Sequence, residues 1–285
     1  MRPWPLLLLV ACAHSPTTSP TPPREPIALT YLGVAGWQLD AAGKTILTDP
    51  YFSRPADPNQ PLVPDSAAIA AHAPAHADLI VVGHSHYDHL LDVAEVAKRT
   101  GAEVMGSLST IRVAIASGLP DKQLTGIAGG EDLVRPGFTV RVIRSLHSMI
   151  GAADTLGEIG EAPQLPMPQS GYKAGGTFAY LIRIAGHEVL VLSTANFIES
   201  ELAGVHPDIA IIAPGLREQV RDYSCRLMHV LGDPPIVLAT HFDDWRHPPV
   251  DQPPDEGDRQ FVAEIQHCSP HTRVIVPKHF ARMEN

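Results

Sequence analysis

The chain has 285 residues, 44% hydrophobic and 18% charged. That is enough to bury a sizeable core in one large or two small domains, and too apolar for wholesale disorder or a coiled coil. Lys plus Arg number 21 against 31 Asp plus Glu, a formal charge of −10 at pH 7, so the net field does not attract polyanions and no nucleic-acid partner is expected. Two further counts stand out: 28 prolines, which mean many loops and fixed turns, and 15 histidines, which invite a search for metal ligands.

The N-terminus reads Met1-Arg2-Pro3-Trp4-Pro5, then an apolar run from Leu6 to Val10, then Ala11-Cys12. The run falls far short of the ~20 residues a mature membrane-spanning helix needs, so residues 1–11 read as an export signal. Leu9-Val10-Ala11-Cys12 resembles the lipobox of bacterial lipoproteins, which implies that Cys12 is lipidated and becomes the mature N-terminus. The plainer alternative is an ordinary signal peptide with an incidental Cys. The Ser/Thr/Pro-rich stretch that follows has no apolar face to bury, and residues 12–27 read as a lipidated Cys and an extended tether. Ala13 stands where inner-membrane lipoproteins carry a retaining Asp. The expectation is therefore a protein of the bacterial cell envelope, held by its lipid to the outer membrane and facing the periplasm. In that oxidising compartment Cys225 and Cys268 form an even pair, open to a disulfide or to two separate buried thiols.

Residues 28–285 read as one folded domain. Its first apolar run is Ile27 to Tyr31. The segments 37–40 and 44–49 flank the turn Ala41-Ala42-Gly43, which predicts a β-meander. Residues 78–83 are a continuous, β-branched run and predict a buried strand. A helix over 93–99 closed by Gly101, a strand over 102–105 and a helix over 110–117 follow. The second half repeats the habit, with strands over 138–143, 177–184, 188–192, 209–212, 235–240 and 273–276 and helices over 216–231 and 258–267. Meander strands early and strand–helix units later in each half predict two mixed sheets facing each other, with helices outside. Residues 151–175, rich in Gly, Pro and Gln, read as a long loop of the kind that usually carries function.

The strand ending at Gly83 runs directly into His84-Ser85-His86-Tyr87-Asp88-His89. In extended chain His84 and His86 point the same way, while Asp88 and His89 lie beyond the turn and can serve a second position. Imidazole with carboxylate suits zinc, and iron or manganese less commonly. A lone His is usually a surface or satisfied residue, but three His and an Asp within six positions after a buried strand call for a metal. The blander histidines are His14, His72, His76, His187, His206, His267 and His271, which read as exposed beside turns and polar residues. His229 lies on a predicted helix. His247 and His279 are less clear; His247 is near enough to Trp245 to line a pocket without ligating. Trp37, Tyr51, Phe52 and Trp245 are candidates for a substrate wall, although core is the commoner fate of each.

His-x-His-x-Asp-His after a hydrophobic strand resembles the signature of the metallo-β-lactamase superfamily, over nearly all the chain beyond the tether. The resemblance implies an αββα sandwich, an α/β fold of two mixed sheets with helices on the outer faces, holding one or two metal ions at the sheet edge. In its terms His147, in Ser145-Leu146-His147-Ser148, joins His84 and His86 around the first metal. His241 joins Asp88 and His89 around the second. Asp49, in Leu47-Thr48-Asp49-Pro50, matches the early Asp that orders the site, and Asp243 or Asp244 is placed to orient His241 from behind. The segments 32–37 and 82–86 are most similar to the branch containing ascorbate-6-phosphate lactonases and N-acylphosphatidylethanolamine phospholipases D. One departure stands out. Asn196 occupies the place expected for the metal-bridging Asp, and reads either as a weak neutral ligand or as the cap of the next segment.

The expected activity is hydrolysis by a metal-bound hydroxide, with Asp88 also accepting a proton. The substrate expected is a small or lipid-like ester, lactone, amide or phosphodiester. A non-catalytic metal-binding lipoprotein and a β-lactamase are the alternatives on the same fold.

Overall fold

The central strands carry apolar side chains on both faces, so they need cover on both sides. In β4 (Leu79–Val81) the alternation is direct: Leu79 and Val81 pack toward Val140, Ile182, Val189 and Ile211, while Ile80 packs with Val93, Val96 and Val113. The computed structural model describes residues 24–151, 155–250 and 253–285, and satisfies this demand with four layers: helices, sheet, sheet, helices.

The first sheet contains β1 (Ile27–Gly33), β2 (Gly36–Ala41), β3 (Lys44–Thr48), β4, β5 (Glu103–Gly106), β6 (Leu124–Gly126) and β14 (Arg282–Glu284), in the order β14-β1-β2-β3-β4-β5-β6. The second contains β7 (Asp132–Arg135), β8 (Phe138–Arg144), β9 (Phe178–Ile184), β10 (His187–Leu192), β11 (Ile209–Ile212), β12 (Ile236–Ala239) and β13 (Arg273–Ile275), in the order β13-β12-β11-β10-β9-β8-β7. In each sheet an antiparallel meander leads into parallel strands: β3 to β6 in the first, β10 to β13 in the second. Helices α1 (Ser66–His72), α2 (Tyr87–Leu90), α3 (Val93–Thr100) and α4 (Leu108–Ala116) lie with the first sheet. Helices α5 (Glu199–Leu202), α6 (Tyr223–Leu231) and α7 (Glu256–Cys268) lie with the second. Cys225 of α6 and Cys268 of α7 are joined in a disulfide with Cα atoms 5.2 Å apart, within the range such a bridge requires.

The two-sheet sandwich is the predicted architecture. Several details differ. The helix expected over 216–231 is broken into one turn, Arg217–Gln219, and α6, because Leu216 and Asp222 take left-handed backbone conformations. The strands β6, β7 and β14 and the helices α1 and α5 were not expected. The folded body also starts before residue 28: Glu25 N donates to Ala185 O, and Arg24 pairs with Asp208. His187 is buried rather than exposed, with Nε2 2.8 Å from Glu25 O. Cys12 and the tether up to residue 23 lie outside the described residues.

Candidate metal centre

Four chain segments leave the sheets at one edge and converge. Asp49 follows β3, residues 84–89 follow β4, His147 follows β8 and His241 follows β12. The turn after β4 is tightly held. Gly83 N donates to Asp49 Oδ1 (2.7 Å), and a Cβ at Gly83 would collide with Ser193 Oγ. Beneath the turn Ser85 Oγ lies 2.9 Å from both Ser107 Oγ and Thr110 Oγ1.

This packing produces two adjacent groups. The ligand atoms of His84, His86 and His147 lie within 4.8 Å of one another, and so do those of Asp88, His89 and His241. In the first group the outer nitrogens fix the tautomers: His86 Nε2 donates to Thr155 O (3.0 Å) and His147 Nδ1 to Ser148 O (2.8 Å). Their other nitrogens therefore turn lone pairs toward His84 Nε2, at 3.0 and 3.1 Å. One N–H on His84 satisfies at most one of these lone pairs, whereas a cation satisfies all three nitrogens. His84 Nδ1 is buried without a hydrogen-bond partner.

In the second group His89 is wholly buried and neither nitrogen makes a hydrogen bond. Its Nδ1 lies 3.1 Å from Asp49 Oδ2 and its Nε2 3.8 Å from Asp88 Oδ2, while His241 Nε2 lies 3.3 Å from the same Asp88 oxygen. A buried imidazole between carboxylates, with its nitrogens unspent, fits a cation. The residues present thus fit one ion in each group.

The charges agree. Burial, reinforced by the neighbouring His89, His86 and His147, holds His84 well below the ordinary imidazole range. Burial also lowers His86, and lowers His147 to about 4, so these three are neutral, ligand-ready imidazoles near pH 7. For Asp88 burial pushes upward, but His89 and His241 outweigh it and hold the carboxyl well below the usual carboxylate range. Burial pulls His89 down, and Asp49 and Asp88 outweigh that in turn, leaving it above the ordinary imidazole value.

His241 has φ of +53°, and its backbone N donates to Val34 O. Asp243 does not hold its ring. Asp243 instead fixes the loop, with Oδ1 accepting from Tyr31 Oη (2.7 Å) and Val34 N (2.9 Å) and Oδ2 lying 2.9 Å from His279 Nε2. Asp244 turns outward to Arg246 and His247, so it does not orient His241, and His247 is exposed away from the ligands. Asn196 is spent on backbone: its Nδ2 donates to His147 O (3.1 Å) and its Oδ1 accepts from Phe197 N (2.9 Å). Of the two readings of Asn196, ligand and cap, this geometry spends the amide on the local backbone rather than on the His cluster. The side chain that reaches the cleft from the end of β10 is Thr194, which bonds to Ser148. His279 and Thr194 carried no sequence signal beyond their residue types.

Above the two groups lies a cleft of about 540 Å³. Tyr172 and Gln169, from the long loop, and Trp245 help to wall it, whereas Trp37, Tyr51 and Phe52 are core.

Residues 28–215 match the beta-lactamase superfamily domain, and the chain belongs to that family. Its fold, its paired ligand groups and its relatives make it a metal-dependent hydrolase of the metallo-β-lactamase fold. One relative, a UPF0173 metal-dependent hydrolase of Methanopyrus kandleri, is 26% identical over 253 residues, covering 87% of this chain and 95% of its own. The structure is similar to that of Igni18, a metallo hydrolase from Ignicoccus hospitalis, with a TM-score of 0.64 and 19% identity over 92% of this chain and 99% of the other. CmlA, a diiron β-hydroxylase from Streptomyces venezuelae, shares the fold over 92% of this chain and 54% of its own, with a TM-score of 0.59 and 16% identity.

Proposed function

We propose that this hydrolase cleaves an ester, lactone, amide or phosphodiester bond in the cleft above the paired ligand groups. The observation that carries the reading is the convergence of six ligand side chains in two adjacent groups, five of them on the floor of one cleft and His89 buried just behind it. His84, His86 and His147 would hold one ion, and Asp88, His89 and His241 the other. A bound divalent ion supplies Lewis acidity and brings the pKa of water down toward ~7. Zinc suits the donor set best, with iron or manganese as alternatives, and the diiron CmlA carries iron on the same scaffold.

Asp88 is ionised and faces the cleft, so it can take a proton from the attacking water and pass it to the leaving group. Asp49 acts behind it, accepting from Gly83 N and placing its other oxygen 3.1 Å from Nδ1 of His89. The double substitution His84→Ala/His86→Ala should lose bound metal and hydrolysis together, read by elemental analysis and a panel of chromogenic esters, lactones and diesters. Full metal occupancy in that variant would overturn the assignment.

We also propose that Cys12 is lipidated and that the protein is held at the cell envelope. The lipobox-like tetrapeptide supports this, and so does the Cys225–Cys268 disulfide, since such bridges persist in oxidising compartments. Cys12→Ala should release the protein from membranes or leave its signal unprocessed, as read by fractionation. Wild-type protein found in the cytosol with Met1 intact would sink the idea.

A further inference from the structure

The walls of the cleft differ from its floor. Above the ligand groups rise Tyr87, Tyr172, Ile150, Leu216 and Trp245, and among the described lining residues there is no Lys or Arg. Apart from the histidines, the one charged residue among the described lining residues is Asp88, on the floor. Several of the polar wall groups are engaged with one another or with the surrounding chain. Ser148 Oγ and Thr194 Oγ1 lie 2.7 Å apart, Ser148 N donates to Thr194 Oγ1 and Ala195 N donates to Ser148 Oγ. The side-chain amide of Gln169 donates outward to Asn59. Arg246 is outside the lining; it is paired with Asp244 and its guanidinium carbon sits 5.4 Å from the ring centroid of Trp245.

A phosphoryl or carboxylate group on the substrate, held away from the floor, would find neutral hydroxyls but no cationic fork among the described lining residues. An apolar chain would find a continuous wall. That wall extends outward: Ile150, Leu216 and Trp245 are each more than a third exposed. Apolar side chains gathered at the mouth of a cleft mark a binding surface rather than scatter.

We infer that the substrate is an uncharged carboxylic ester of an extended apolar acyl group, its carbonyl on the floor and its chain along the Tyr172–Leu216–Trp245 wall. The inference rests on the hydrolase reading above. In the step, the oxygen of water bonds to the acyl carbon, the acyl C–O bond breaks, one proton of the water goes to the leaving alkoxide through Asp88, and the other is released as the acid ionises.

The test uses metal-loaded protein and p-nitrophenyl esters of rising chain length, with bis(p-nitrophenyl) phosphate alongside. Burying each added CH₂ is worth roughly a fourfold gain. With incomplete burial, kcat/KM should rise about 100-fold from the acetyl to the octanoyl ester, and the octanoyl ester should outrun the diester. Trp245→Ala/Leu216→Ala should cut the octanoyl-to-acetyl ratio about tenfold or more. No rise with chain length, or preference for the diester, overturns the inference and leaves the hydrolase standing. Failure to hydrolyse any probe with metal bound overturns both.

Discussion

Asn196 sits 3.1 Å from His147 O through its amide nitrogen and accepts Phe197 N through its oxygen, so both ends of the side chain work for the loop that carries His147. A carboxylate there keeps the acceptor but loses the donor, and places negative charge against a carbonyl oxygen. Asn196→Asp should therefore leave the number of bound metal ions unchanged, while costing about 1 kcal/mol or somewhat more of stability from the lost hydrogen bond. Elemental analysis after dialysis, paired with urea melts of both proteins, checks this. A gain of one tightly held ion would return Asn196 to the metal shell. The sequence places an Asn one turn past a strand, where a ligand and a cap look alike. Only the fold shows that the side chain facing the cleft is Thr194, two residues earlier. His84, His86, Asp88 and His89 were legible because four donors in six residues after an apolar strand have few other uses. His279 was not, because its partner Asp243 lies 36 residues away in sequence.

At the scale of elements, the loop after β12 shows how distant segments set one ligand. Thr240 Oγ1 donates to Val34 O and accepts from Trp37 Nε1, His241 N also donates to Val34 O, and Asp243 ties Tyr31, Val34 and His279 together. This clamp holds His241 in a left-handed conformation that a non-glycine residue adopts only when its surroundings fix it. Burial would raise Asp243, and His279 and Tyr31 outweigh that and keep it ionised. His279→Ala should leave the buried carboxylate short of a charge-assisted partner, at a cost of about 1.5–3 kcal/mol. It should weaken the ion bound by Asp88, His89 and His241 while sparing the His84–His86–His147 ion. Stepwise metal titration followed by calorimetry distinguishes the two sites, and equal weakening of both would show only general destabilisation. The long apolar strands and the helices α3, α4 and α7 were legible from period and punctuation. The edge strands β6 and β14 were not, because Leu124-Thr125-Gly126 and Arg282-Met283-Glu284 lack the apolar β-branched pair Val274-Ile275 that marks β13, and are made by the neighbour's ladder rather than by their own pattern. The break at Asp222 was hidden because nothing in that residue's type announces a left-handed backbone.

For the whole molecule, the centre lies on the seam between the sheets. The first sheet supplies Asp49 and residues 84–89, and the second supplies His147 and His241, so ions bound there link the two halves. Removing them should lower stability by RT ln(1 + [L]/Kd), about 4 kcal/mol when free metal stands at 1,000 times Kd. That corresponds to a fall of roughly 10 °C in Tm for a domain of this size. The metal-free protein should then show a pH dependence of definite sign. His84, His86 and His147 have folded pKa values below the ordinary 6.5, about 4 for His147, so between those values the unfolded chain binds more protons. Their contribution is complete above pH ~6.5 and is lost as the pH falls toward 4. His89, with its raised pKa, acts in the opposite sense, adding stability below pH ~6.5 that fades as the pH rises through its folded value. Three groups outweigh one, so Tm of the metal-free protein should fall on acidification from pH 6.5 to 4, and His147→Gln should flatten that fall. Calorimetric melts of chelator-treated wild type and variant across this range decide the matter. A flat profile in the wild type would mean that the buried imidazoles are already solvated or protonated once metal is gone, and that the neutral ligand set is assembled by the ion rather than awaiting it.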